Sequence, residues 1–173
     1  AGEEHMAKDF LNVIERALMM GVSDSLNSNT TSGSDIYVYG EFPETEDLKF
    51  PAVVVQHVGS GFEQQMMGQQ MTLGGVSGTG EIYGVAYTVH IILEKETEIT
   101  IGSTTYKQRR LLNWIMLNLA NAVMDINWDD YQEEELDVHE RNLRQWRNIG
   151  FMKDLNWYGA SADFVLTFSN FRT

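Results

Sequence analysis

The sequence predicts an α+β fold: an antiparallel (mixed) β-sheet with two main α-helices packed on one face, and a long arm or hairpin between two central strands. Three observations carry this reading. Two stretches place apolar residues at helical spacing, and two others alternate apolar and small or polar residues with the period of two expected of a half-buried strand. Between strand signals lies a segment, residues 59–80, whose only charge is Glu63 in a chain that is 21% charged. No linker composition or internal repeat divides the chain, so residues 1–173 read as one domain with a protruding arm at about 59–80.

The elements follow in order. Phe10, Val13, Ile14, Ala17, Leu18 and Gly21 mark one face of a helix over residues 5–26, which the polar stretch NSNTTSGS ends. Residues 36–42 read as a short strand. Pro51 opens a second one over 52–58, where three consecutive Val point to a central position. In the arm, seven Gly, four Gln and three Met leave neither a helical nor an ordinary strand pattern. Long structureless connections inside compact domains tend to be functional, and thioethers with amides suit an adaptable contact surface. The expected interface residues are Phe62, Gln64, Gln65, Met66, Met67, Gln69, Gln70, Met71 and Leu73.

After the arm comes the clearest alternation: Tyr83, Val85, Tyr87, Val89, Ile91 and Leu93 on one face, Gly84, Ala86, Thr88, His90 and Ile92 on the other. Residues 99–101 add a short strand before a turn at Gly102 and Ser103. Thr104 or Thr105 is then placed to cap a second helix over 106–126, with Leu112, Ile115, Leu119, Ala122, Val123 and Ile126 on its core face and Trp114 and Leu117 widening it. Residues 143–157, rich in Arg, Trp and Asn, look irregular. Ala162, Phe164, Leu166 and Phe168 alternate in a terminal strand.

The net charge of −13 sets 25 acidic against 12 basic side chains, a balance that opposes phosphate neutralisation and so argues against gripping nucleic acid. Asp125, Asp129, Asp130, Glu133, Glu134, Glu135, Asp137 and Glu140 form a local acidic run that reads as a solvated face, since the spacing of a carboxylate calcium loop is absent. With no Cys there are no disulfides, thiolate nucleophiles or Cys-based zinc sites. No long apolar run or apolar leader points to a membrane or to secretion.

Enzyme motifs are missing or fragmentary. Gly78-Thr79-Gly80 begins like a dinucleotide fingerprint, yet Tyr83 stands where the third Gly belongs. Gly75-Val76-Ser77-Gly78-Thr79 lacks the last Gly of a nucleophile elbow. His57 and His90 lie on neighbouring strand signals, where satisfied sheet histidines are the plain reading and a metal pair the sharper one. The four Trp read as core and interface aromatics. No catalytic, cofactor or metal residue is assigned, and no cofactor is expected.

Taken together, the segments PAVVVQHVGSGF, QQMMGQQMTLGGVSG, GEIYGVAYTVHIIL, YKQRRLLNWIMLNLANAVMD and LNWYGASADFVLTFSNF, in that order, resemble the tail-terminator (tail-completion) and related neck proteins of tailed phages and archaeal viruses. The likeness spans roughly residues 9–171 and is one of element order and texture. It implies a non-enzymatic structural virion protein, made in the host cytoplasm, that closes as a hexameric ring on a finished tail tube. The implied partners are further copies of itself, the tail tube protein, the neck or head connector protein and the tail sheath. DNA would pass through the lumen without specific binding, as negative walls would favour. Within the same class stand a tail tube protein and a head-completion protein. From another class, a small hydrolase or metal-binding enzyme would use His57, His90 and a carboxylate such as Glu81.

Overall fold

The computed structural model describes residues 10–33, 35–41, 43–44, 47–62, 69–73, 76–128 and 136–172. In chain order these form α1 (Phe10–Ser28), β1 (Tyr37–Tyr39), β2 (Ala52–Phe62), β3 (Gln69–Leu73), β4 (Val76–Glu94), β5 (Glu98–Ile101), β6 (Thr104–Lys107), α2 (Gln108–Asp125), β7 (Leu136–Met152) and β8 (Trp157–Arg172). Six strands make one sheet in the order β1-β2-β4-β8-β7, with β3 beside β4, while β5 and β6 pair separately. β1 runs parallel to β2, and the other pairings are antiparallel. The fold is therefore α+β with a mixed sheet.

Both helices bury the stripe that their sequence marks. α1 contributes Ile14, Ala17, Leu18, Val22 and Leu26, and α2 contributes Leu111, Leu112, Ile115, Leu119, Ala122 and Val123. Opposite them stand the alternate positions of three strands: Val53 and Val55, then Val85 to Leu93 in steps of two, then Ala160 to Phe168 in steps of two. Because strand side chains alternate, the residues between these form a second face turned away from the helices. The polar stretch after α1 is itself built in. Buried Asn27 donates to Ser23 O and Ile36 O, each 3.0 Å, and accepts from Ile36 N at 2.8 Å, so one side chain ties the helix end to the entry of β1.

Several boundaries differ from the sequence expectation. The first helix is described from Phe10, and the strand expected over 36–42 shrinks to Tyr37–Tyr39. Thr104 and Thr105 belong to β6 and do not cap α2. Their partners are Ile101 and Thr100, with the Thr100 and Thr105 hydroxyls 3.1 Å apart, and Gly102 makes the turn at φ 63°. Lys107 takes the cap position with no side-chain hydrogen bond. Leu117 does not widen the core: it is 62% exposed on the outer side of α2.

The largest difference is β7, a strand of 17 residues where irregular structure is expected. Register shifts at Val138/Glu140, Leu143/Gln145 and Asn148/Gly150 each insert an extra residue. Every such bulge reverses the parity of side-chain direction, so no single period of two survives in the sequence.

Candidate functional site

The described residues of the uncharged segment lie within the sheet. β2 continues past its expected end to Phe62, still paired with β4, and the shift between His57 and Gly59 leaves Val58 outside the ladder and 62% exposed. β3 then pairs with the start of β4 from Gln69↔Gly80 to Leu73↔Val76. β8 holds the other edge of β4 from Thr79↔Arg172 onward, so β3 lies on the same edge as β2. Only residues 74 and 75 separate Leu73 from Val76, and they are Gly-Gly, a dipeptide favoured in two-residue hairpin connections.

The described parts of the expected arm, residues 59–62, 69–73 and 76–80, are thus paired strands in the distal half of one long hairpin. Of the expected interface residues, Phe62, Gln69, Gln70, Met71 and Leu73 sit in paired strands. Gln64, Gln65, Met66 and Met67 fall outside the described residues. β1 covers β2 only from Ala52 to Val54. Beyond that point the outer edge of β2, and that of β3, meets no further strand among the described residues, which is the backbone geometry that accepts an added strand.

A second feature crosses four strands on the face away from the helices. Gln56 Oε1 lies 3.0 Å from His90 Nε2. Thr88 Oγ1 donates to Asp163 Oδ1 at 2.8 Å, and Arg147 donates to the same oxygen at 2.8 Å and through Nε to Ser161 Oγ at 3.2 Å. Burial lowers the His90 pKa, the Arg147 charge lowers it further, and Asp163 opposes both. The network locks strands in register. The carboxylate that a Ser-His-Asp set would place on the imidazole is bonded to Arg147 and Thr88 instead.

The enzyme constellation considered from sequence is not assembled. His57 pairs with Tyr87 and His90 with Val54, so the two imidazoles point to opposite faces of the sheet. His57 is exposed, its ring 5.5 Å from that of Tyr87, whose hydroxyl pKa is pushed up by burial and then by Glu15. Glu81 pairs with Asn170, nine positions along β4 from His90, or about 30 Å at the usual strand rise. Among the described residues no group of three His, Asp or Glu could hold a metal ion. In the acidic run, Asp125 ends α2 and is exposed, Asp137 and Glu140 lie in β7, and residues 129–135 are outside the described residues.

Sequence reasoning missed Arg141. From β7 its guanidinium reaches the C-terminal end of α2, donating to Val123 O at 3.3 Å, to Met124 O, and to Ile126 O at 2.7 Å, and it lies 5.8 Å from the Trp128 ring centre. These carbonyls lack helical partners and carry the negative end of the helix dipole, so a cation satisfies both needs. Burial lowers the Arg141 pKa while Asp125 raises it. Nearby, a cavity of about 300 Å³ between the helices is lined by Asp24, Ser25, Asp125 and Asn127, with Gly21, Ala122 and Ile126 behind them. No helix among the described residues is long and apolar enough to cross a membrane.

No protein-family model matches the chain, and no curated protein matches it either.

Proposed function

We propose that the chain is a structural virion protein, a subunit of a tail-terminator ring that caps the tail tube and joins it to the neck. The observation that carries this is the long hairpin formed by β2 and β3 with β4. Its distal sequence, residues 59–80, carries one charge in a chain of net −13, and its outer backbone edge meets no other strand among the described residues. Copies of so acidic a chain repel one another, so an uncharged edge is where a neighbour approaches at least cost. Added strands contribute backbone hydrogen bonds, and the neighbouring uncharged side chains provide the fitted contact. Chain order and texture support the same reading, as set out from the sequence.

The test is the assembly state of the full chain, by mass photometry with negative-stain electron microscopy. Closed six-fold rings are expected, lost when Met66 and Met67 are replaced by Ser while the melting temperature stays within a few degrees. Filaments would favour a tail tube protein. The absence of both rings and capping activity on purified tail tubes would end the proposal. The same protein is expected to leave labelled duplex DNA unbound at physiological salt, because 25 acidic against 12 basic side chains leave counterion release little to act on.

A further inference from the structure

The outer side of α2 is unlike an ordinary solvated helix face. Between Arg110 and Asp125 the helix has no charged residue. Its outward row is Asn113, Leu117, half-buried Ala120 and Met124, with Leu117 exposed by 62%, Met124 by 47% and exposed Asn121 beside them. The intervals in this row are four, three and four, the spacing of a helix-packing seam. The seam is about 16 Å long at the helical rise. The charges at its ends are reversed from what the helix dipole favours: Arg109 and Arg110 stand exposed in the first turn, with no acid there, and exposed Asp125 closes the last turn, with no base there. Asp24 of α1 joins Asp125 around the 300 Å³ cavity at that acidic end.

A strip that is basic at one end, acidic at the other and apolar between is complementary to itself when turned end for end. We propose that a second copy of this chain docks antiparallel on the outward row of α2. Arg109 and Arg110 of each protomer then face the Asp24 and Asp125 end of its partner. The Leu117–Ala120 stretch of one helix packs on the same stretch of the other, so the contact is a two-fold one. Antiparallel helices also bring opposite dipole ends together. Arg141, already bonded to the α2 carbonyls, takes up part of the negative charge of the helix end itself. This surface is separate from the hairpin edge and does not rest on the virion reading.

Sedimentation velocity on the full chain at tens of micromolar tests it. With the ring contact removed by Met66→Ser and Met67→Ser, a species of twice the 19.7 kDa chain mass is expected. Leu117→Glu should weaken association about tenfold or more. So should Arg109→Glu with Arg110→Glu, and so should Asp24→Lys with Asp125→Lys. Mixing the two charge-reversed proteins should restore the dimer, because each of the two contacts in a mixed pair again joins opposite signs. Circular dichroism melts verify that the variants fold, and Asp125→Asn serves as a milder variant if the lysine form does not. A monomer under these conditions overturns the proposal, as does a dimer indifferent to all three changes or one that mixing fails to restore. A hexamer sensitive only to the hairpin substitutions also overturns it, while leaving the ring reading intact.

Discussion

β8 has a neighbour along each edge, and the two pairings follow different rules. Towards β4 the register runs from Thr79↔Arg172 to Glu94↔Trp157 without a shift. Towards β7 it shifts three times between Leu136↔Asn170 and Met152↔Trp157. The inner pairing keeps a constant parity because helices cover one face of it, and a single slip would turn a whole row of buried side chains into water. Among the described residues the outer strand meets no strand on its other edge, and it can bend. The bulges let it serve both faces. Arg141 and Arg147 are six residues apart and would share a face in a regular strand, yet Arg141 pairs with Leu166 on the helix side and Arg147 with Ser161 on the other. One shift, between Leu143 and Gln145, sends the first guanidinium to the end of α2 and the second to Asp163.

This contrast is open to tests of decreasing size. Phe164→Ala, in the unshifted ladder and 1% exposed, should cost about 3 to 5 kcal/mol in urea denaturation. A loss below 1 kcal/mol would mean that the inner pairing is not the stable half. Next, Arg141→Ala removes a charged donor from the end of α2 and should cost about 1.5 to 3 kcal/mol. An unchanged midpoint would show that β7 contributes nothing to the helix layer.

The bulge itself can be removed. Deleting Arg144, which stands between paired Leu143 and Gln145, leaves every cross-strand pair and every facing in place, so it should lower the melting temperature by no more than a few degrees beyond the effect of Arg144→Ala. A much larger loss would mean that the local bend, and not the pairing alone, seats the residues on either side.

The smallest effects belong to the polar face. The Arg147–Asp163 pair is partly exposed, with side-chain exposures of 48% and 27%, so Arg147→Ala should cost no more than about 1 kcal/mol. His90 has a lowered pKa in the folded chain, so the fold prefers the neutral ring. Its contribution is complete above the ordinary pKa of 6.5 and declines as the pH falls from there towards the lowered folded value. A His90→Gln variant should therefore lose less stability than wild type between about pH 6.5 and 5, as read from melting temperatures. Parallel pH profiles for the two proteins would remove His90 from the network.

Much of this fold is legible in the sequence where burial enforces a period. The α1 stripe, the α2 stripe from Leu112 to Val123 and the alternations through Tyr87 and Phe164 each fall on the face they mark. Legibility fails where a strand is too short for its pattern to stand out. Gln69–Leu73 offers only Met71 and Leu73 in alternation, and Thr104–Lys107 pairs with β5 although its threonines resemble a helix cap. It fails again at the candidate site. The lack of charge over residues 59–80 is visible in the chain, but the unpartnered edge of β2 and β3 depends on which strands stop early.

The sequence alone determined the helix and central strand faces, the acidic excess and the uncharged stretch, because burial periodicity and charge are local properties of the chain. Only the tertiary structure decided that the described parts of this stretch pair into the sheet, that His57 and His90 point to opposite faces, and that Arg141 closes α2. Each of those depends on register, and register is set by pairing between residues far apart in the chain, where one extra residue reverses the direction of every side chain up to the next shift.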